Sequence, residues 1–253
     1  MTLKVAVDLP PPFRVIRYDD IGSTSDEAKR LAEAGADHGT LVWAVSQSRG
    51  RGRRGNAWHS PPGNLYVSLV LRPDCAPAQA LQLSFVASLA LADAIAAFAP
   101  PGAEVTCKWP NDVFLNHRKT AGLLLESSTS GGAALDWLVI GMGVNIVSAP
   151  SDVAQPVTSL AEEGCSGLTP DSLLESFCSY FAGRYEQWLA DGFTAQREAW
   201  LQRAEGRGGP VTVNLEGESF VGLFVDIDES GALIVDTASA GRRVVTAGEV
   251  FIP

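Results

Sequence analysis

Residues 47–66 read QSRGRGRRGNAWHSPPGNLY. Arg49, Arg51, Arg53 and Arg54 alternate with Gly50, Gly52 and Gly55, and Trp58, Pro61 and Pro62 close the run. Glycine weakens helix and strand interiors and neighbouring like charges repel, so this is a loop. The segments on either side, 40–46 and 65–71, are apolar and rich in β-formers. Two strands therefore flank a long excursion. Long loops inside a compact domain are functional or disordered, and anchoring at both ends favours function. Backbone N–H groups of such a loop can wrap an anion while the arginines neutralise it. A solvated basic loop is the plain alternative. Against it stands the net charge of −10, which makes the arginine cluster a local exception.

Outward from the loop, 13–18 alternates as a strand. Ser23 or Thr24 can cap a helix with Asp26 and Glu27 in its first turn and Gly35 past its end. Residues 79–98 predict one long helix, apolar on most faces and hence in the core, stopped by Pro100, Pro101 and Gly102. Three short strands are expected at 105–109, 113–116 and 120–126. The turn Pro110-Asn111-Asp112 separates the first two, and His117-Arg118-Lys119 forms an exposed hairpin tip. Residues 135–147 read as one long strand or a strand pair containing Gly141 and Gly143, where glycine marks close approach of a backbone or ligand. Thr169-Pro170-Asp171 starts a helix running through Leu189, with a second after Gly192. Beyond Gly206, Gly208, Gly209 and Pro210 the chain turns to short strands: VTVNL, FVGLFVDI, ALIVDT and VVTAGEVFI. The expected fold is α+β: a mixed sheet with packed helices over 1–207, then a small β-barrel-like domain over 208–253. A domain of that size leans on a larger neighbour.

The 253 residues, 46% hydrophobic and 19% charged, suit an ordinary globular core. Net acidity disfavours a broad nucleic-acid surface. Cys75, Cys107, Cys165 and Cys178 form no CxxC pair, which reads as reduced thiols. The N-terminus lacks a secretory pattern, and the apolar run 83–98 is interrupted by Ser84, Ser88 and Asp93. A cytoplasmic protein without DNA or membrane partners is expected. No GxxxxGK[ST] sequence is present, and His38, His59 and His117 lack the neighbours of a metal site or triad.

Four pieces recur in order: STSDEA (23–28), the Q-x-x-G-R-G-R-R-G-x-x-W-x-S-P run (47–61), KWPND (108–112) with R-K-x-A-G (118–122), and GMGVNI (141–146). Together they make the chain similar to the biotin protein ligases, which biotinylate acetyl-CoA carboxylase and related carboxylases. The resemblance covers 14–253, since AGEV (247–250) is similar to that family's SH3-like C-terminal domain. The DNA-binding domain of the bifunctional members has no counterpart, so the resemblance is to the monofunctional type. Ser25, Asn56 and Thr120 stand where the family pattern has Asn, Arg and Leu.

The resemblance implies ATP and biotin as substrates, Mg²⁺, and a biotin carboxyl carrier domain as partner, with a homodimer possible. Lys119 and Arg53 are then the catalytic charges. Biotin contacts fall on Ser23, Thr24, Ser25, Gln47, Gly50, Arg51, Gly52, Arg53, Trp58, Lys119 and Gly122. Adenylate contacts fall on Arg51, Arg53, Arg54, Trp58, Lys108, Asn111, Lys119 and Asn145, and Asp112 is the magnesium carboxylate. From position alone, Lys119 reads first as a solvated hairpin-tip lysine, and Asp112 also reads as a turn residue, Lys108 as a strand-end lysine and Trp58 as a core anchor. The free glycine-arginine loop is expected to be mobile and to order on ligand binding, which limited proteolysis reads. Lipoate ligases and octanoyl transferases resemble the same scaffold, and an arginine-loop nucleic-acid module is the remaining alternative.

Overall fold

The computed structural model describes residues 7–129, 134–151, 153 and 155–252. The segment 1–6 of the expected N-terminal arm lies outside these. Strands β1 (Arg14–Ile21), β2 (Thr40–Gln47), β3 (Leu65–Leu71), β4 (Val105–Lys108), β5 (Asp112–Leu115), β6 (Arg118–Ser128) and β7 (Trp137–Val144) form one sheet in the order β1-β2-β3-β7-β6-β5-β4. β1 and β2 pair in parallel across helix α1 (Thr24–Glu33); the other described pairs are antiparallel.

Period-two alternation assigns the two faces. Leu41 and Trp43 of β2, Leu65, Val67 and Leu69 of β3, and Leu138, Ile140 and Met142 of β7 point into the main core. Their neighbours Val42, Val70, Trp137 and Val139 meet Ala28 and Ala32 of α1 on the other face. Full burial of each large apolar side chain contributes about 1.5–3 kcal/mol. Helices α2 (Pro77–Ala80), α3 (Gln82–Ala96), α4 (Pro170–Asp191) and α5 (Thr194–Gln202) cover the main core. Thr169 caps α4, accepting from the Ser172 N–H at 3.2 Å. Down α4, Phe177, Phe181, Tyr185 and Trp188 stack at centroid spacings of 5.5, 5.7 and 5.8 Å.

Three expectations need correction. The helix predicted over 79–98 is α2 and α3, meeting at Leu81, which is 57% exposed. The stretch 77–96 is apolar and long enough to cross a bilayer, yet α3 buries Leu83, Phe85, Leu89 and Ile95 against the core. The β5–β6 turn is Asn116-His117, with φ of 50° and 63°, so Arg118 and Lys119 belong to the strand rather than to an exposed tip. The tail has five strands, because VVTAGEVFI divides at Gly248. They are β8 (Pro210–Asn214), β9 (Ser219–Ile227), β10 (Leu233–Thr237), β11 (Gly241–Val245) and β12 (Glu249–Phe251), in the order β11-β10-β9-β8-β12. The inner face of this SH3-like sheet, including Val213, Phe224 and Val235, is continuous with the main core. Trp109 Nε1 donates to Gly231 O at 2.9 Å, and Arg197 Nε to Ile227 O at 2.6 Å, seating the tail on the larger unit.

His38 shows how one half-buried ring ties the sheet to α4. Its Nδ1 accepts from the Arg72 N–H at 3.2 Å, and its ring lies 5.4 Å from Tyr185. Burial holds its pKa below the ordinary histidine value. The unfolded chain therefore binds this proton more readily, so the stability it contributes is complete above the unfolded pKa and falls as pH drops through and below it. The folding free energy of wild type should decline below about pH 6.5, and His38→Phe should flatten that slope. The orphaned Arg72 N–H should cost the variant about 1–3 kcal/mol at neutral pH, read by urea titration.

Candidate active site

Beyond the end of α1, the alternation that buries large residues on one side of β6 and β7 leaves Gly122, Leu124, Gly141 and Gly143 on the other. Gly122 faces Gly143 across the strands, and Leu124 faces Gly141. These positions floor a cavity of about 570 Å³. Trp58 lies flat on the floor: a Cβ at Gly143 would fall 2.5 Å from its Cε2 and Nε1, and one at Gly122 3.1 Å from its Cζ3. The Trp58 Nε1 is buried and finds no hydrogen-bond partner among the described residues.

One end of the cavity is a chain of hydroxyls and one amide. Ser23 caps α1, accepting from the Asp26 N–H at 3.4 Å. Gln47 Oε1 accepts from Thr24 N at 2.8 Å and Thr24 Oγ1 at 3.1 Å, while its Nε2 donates to Ser60 Oγ at 3.0 Å. Ser68 Oγ donates to Thr24 Oγ1 at 2.9 Å, leaving Ser25 Oγ to donate to Ser68 at 3.2 Å. The Gln47 amide is thus held in one orientation, with both Oε1 lone pairs engaged and one Nε2 hydrogen left to donate.

The glycine-arginine loop is less irregular than its composition implies. Arg51 and Ala57 bridge, Gly52 N donates to Asn56 O at 2.7 Å, and Trp58 N to Gly50 O at 2.9 Å, so 50–58 is a small stem. Gly50 does not line the cavity; a Cβ there would sit 2.5 Å from Ser60 Oγ and Trp58 O, so its bareness serves the stem. The four arginines part company. Arg49 crosses Gly22, and its N–H donates to Gly22 O at 2.8 Å. Arg51 reaches Asp26 at 2.5 Å and Glu126 at 3.6 Å. Arg53 turns inward, with Nη1 3.3 Å from Asn111 Oδ1 and 3.4 Å from Gly248 O. Arg54, at φ 53°, points away toward Glu249 at 3.9 Å and does not line the cavity.

Opposite the hydroxyl end, Lys119 Nζ pairs with Asp112 Oδ1 at 2.7 Å and lies 5.6 Å over the Trp58 ring. Asp112 is the first residue of β5, not a turn residue, and Gly122 stands across from it. Lys108 is 7% exposed, with Nζ 5.4 Å from the Phe114 ring and 5.6 Å from Phe251. Burial pushes the Lys108 pKa down against the pull of Asp112, and nearby Lys119 adds to the fall. Burial also lowers that of Arg53, opposed by Asp112. Lys119, Arg53 and Lys108 gather around Asp112, with Glu249 also acting on Arg53 and Lys108, and an incoming anion would balance the positive charge that remains. Asn111 Nδ2 donates to Leu123 O, locking it in the same wall.

Asn145 is 3% exposed, and its Nδ2 donates to Thr158 O at 3.3 Å. The strip 156–161 pairs with both Lys119 and Asn145: Lys119 N donates to Pro156 O and Leu160 N to Asn145 O, each at 2.9 Å. Several contributors escaped the sequence reading. Ser60 and Ser68 bind the polar end. Asn64 Oδ1 gathers the N–H groups of Ile146, Val147 and Ser148 at 2.8, 2.9 and 3.3 Å, holding the chain after Asn145. Glu249, Val250 and Phe251 bring the tail to the rim. For Glu249 and Val250, the AGEV run was the available signal.

A family model described as the biotin/lipoate A/B protein ligase family matches residues 54–202, and one described as the biotin protein ligase C terminal domain matches 208–252. A biotin–[acetyl-CoA-carboxylase] ligase of Paracoccus denitrificans is 42% identical, covering 90% of this chain and 96% of the relative. One from Mycobacterium tuberculosis is 34% identical, covering 90% and 85%. The structure of the Aquifex aeolicus biotin protein ligase in complex with biotin and ATP superposes with a TM-score of 0.79 at 26% identity, covering 94% of this chain and 97% of that one. Matched in sequence across nearly its whole length and in fold across both sheets, the chain belongs to the biotin/lipoate A/B protein ligase family.

Proposed function

We propose that this chain is an ATP-dependent biotin protein ligase. It forms biotinyl-5′-AMP and passes biotin to a lysine of a biotin carboxyl carrier domain, as its relatives' names describe for biotin and acetyl-CoA carboxylase. The observation that carries this reading is the single cavity joining the Thr24–Gln47 hydrogen-bonding end, across a glycine floor, to the Lys119, Arg53 and Lys108 cluster. A ureido ring suits paired donors and acceptors, an apolar tail suits bare strands, and a carboxylate with an α-phosphate suits the cations. Lipoate, the family's other acid, offers the polar end no hydrogen bonds, and such a site rejects an analogue that leaves its polar groups unmatched. The test incubates the full chain with ATP, Mg²⁺ and either biotin or lipoate, with acyl-adenylate read by mass spectrometry. Adenylate with biotin alone is expected; equal formation with lipoate would overturn the assignment.

In the first step a biotin carboxylate oxygen bonds the α-phosphorus as its bond to the pyrophosphate oxygen breaks. Two anions meet, so the barrier is largely electrostatic, and Lys119 and Arg53 are the groups we assign to it. Lysine acts as a movable point charge, whereas arginine fixes direction with its planar fork. Asp112 fits the role of the one protein carboxylate that a magnesium ion arriving with ATP needs, the ion supplying charge neutralisation on the phosphates. Among the described residues no group of three metal-ligating side chains occurs. In the second step the carrier lysine's neutral amine bonds the acyl carbon, AMP departs, and the amine loses a proton. Asn145 and the 156–161 strip are assigned to the adenine side, and Trp58 to the cover over the tail.

The division at 207/208 is supported by the switch to strands at Pro210. Four free thiols, Cys107 and Cys178 among them pushed up to about 12 by burial, support a reducing, cytoplasmic setting.

A further inference from the structure

We infer that Asp26 and Glu126 form a two-carboxylate clamp that positions the glycine-arginine loop by holding Arg51, and that opening this clamp lets the activated acid escape. The inference deepens the ligase reading and rests on it for the identity of that acid. Asp26 stands in the first turn of α1 and Glu126 on β6, so the clamp joins the loop to both the helix and the sheet. Arg51 Nη2 meets Asp26 Oδ1 at 2.5 Å and Glu126 Oε1 at 3.6 Å. Lys29 competes for the same two atoms, at 3.2 and 2.8 Å.

Two features make this a clamp that opens rather than a fixed strut. The side chains of Arg51 and Asp26 are 39% and 49% exposed, so water and salt weaken their pairing. Lys29 stays behind as a counter-charge when Arg51 leaves, so opening strands no bare carboxylate pair. The other root of the loop is firmer: Ser48 N and Arg49 N donate to Ile21 O and Gly22 O at 3.0 and 2.8 Å. The loop therefore pivots about Arg49 and fastens at Arg51. Fastening carries Arg53 and Trp58 with it, because the Arg51–Ala57 bridge and the Trp58–Gly50 bond make the stem one piece. Asp26 and Glu126 are positioning residues: they act on the reaction only through the loop.

The isosteric pair Asp26→Asn with Glu126→Gln removes the clamp, and Lys29→Ala removes its competitor. Without ligand, trypsin should cut between residues 49 and 55 about threefold to fivefold faster in the double variant, the ratio an exposed ion pair carries. It should cut more slowly than wild type in Lys29→Ala. Raising salt should speed cleavage of wild type and leave the double variant unmoved. With biotin and ATP, a larger share of the adenylate the double variant forms should reach bulk solution, by a similar factor, trapped there by hydroxylamine, and its rate of formation should fall with it because the same stem carries Arg53. Unchanged cleavage and escape in the double variant would overturn the clamp. So would Lys29→Ala loosening the loop, which a merely structural role would produce. If wild type forms no adenylate, the ligase reading fails, and the ligand-free cleavage still decides the clamp.

Discussion

Lys119→Ala should form biotinyl-5′-AMP about 10²- to 10³-fold more slowly than wild type, the loss that follows removal of one preorganised charge from an electrostatic site. The side chain is held where that charge is needed. It lies in β6 rather than at a flexible tip, is 20% exposed, and is pinned between Asp112 and the Trp58 face. Its deletion also strands Asp112, 15% exposed, without its partner, so lost activity alone would be ambiguous. Breaking that charge-assisted bond costs about 1.5–3 kcal/mol of stability. Asp112→Asn in the same chain removes the stranded charge and should return most of the stability. It also removes the carboxylate assigned to magnesium, so the rate of the double variant is read against Asp112→Asn alone and should still be about 10²-fold lower, because an amide supplies no cation. Quenched-flow adenylation beside urea unfolding of the four proteins separates the two effects. A double variant as fast as Asp112→Asn alone would reduce Lys119 to a structural partner of Asp112.

The history of Lys119 also marks where the sequence was readable. The strands around 47–66 were legible because their period is local, and β2 and β3 fall within a residue of expectation. The core-facing helices were legible from apolar faces, though the division at Leu81, a residue with ordinary αR dihedrals, carried no sequence signal. The β5–β6 register was not legible. A two-residue turn demands positive φ at both positions, usually signalled by Asn-Gly, and here it is made by Asn116-His117. One residue of register decides whether Lys119 is a solvated tip or a wall of the cavity. The partners of the arginines were hidden for a different reason. Arg51 finds Asp26 and Glu126, and Arg53 finds Gly248, a contact 195 residues away in sequence. Such pairings follow from tertiary packing, and composition reports only that a cluster of charge exists. Within the loop Arg51 and Arg54 face separate acids and Arg53 faces the cavity, with Arg54 still opposing the charge on Arg53.

The glycines of the floor, by contrast, were visible as an interruption in a strand, and their consequence can be measured. Gly143→Ala would place a methyl 2.5 Å from the Trp58 indole, closer than any real Cβ approaches, with the sheet immovable beneath it. The indole must lift off the floor, and it rises into the cavity space assigned to the biotin tail. Overpacking of this kind costs about 1–3 kcal/mol. Because the displaced group is a cavity-facing ring rather than core, the cost should fall on ligand binding more than on folding. The KM for biotin should rise roughly tenfold to a hundredfold, with that for ATP moving less. Gly183→Ala is the matched control. It lies in α4, away from the cavity, and its added methyl would meet nothing within 4 Å, so it should leave biotin binding at the wild-type level. Calorimetric titration of both variants with biotin distinguishes a floor that needs bare backbone from a helix that tolerates a methyl. Equal affinities for Gly143→Ala and wild type would mean that the tail runs elsewhere and that Trp58 covers an unused surface.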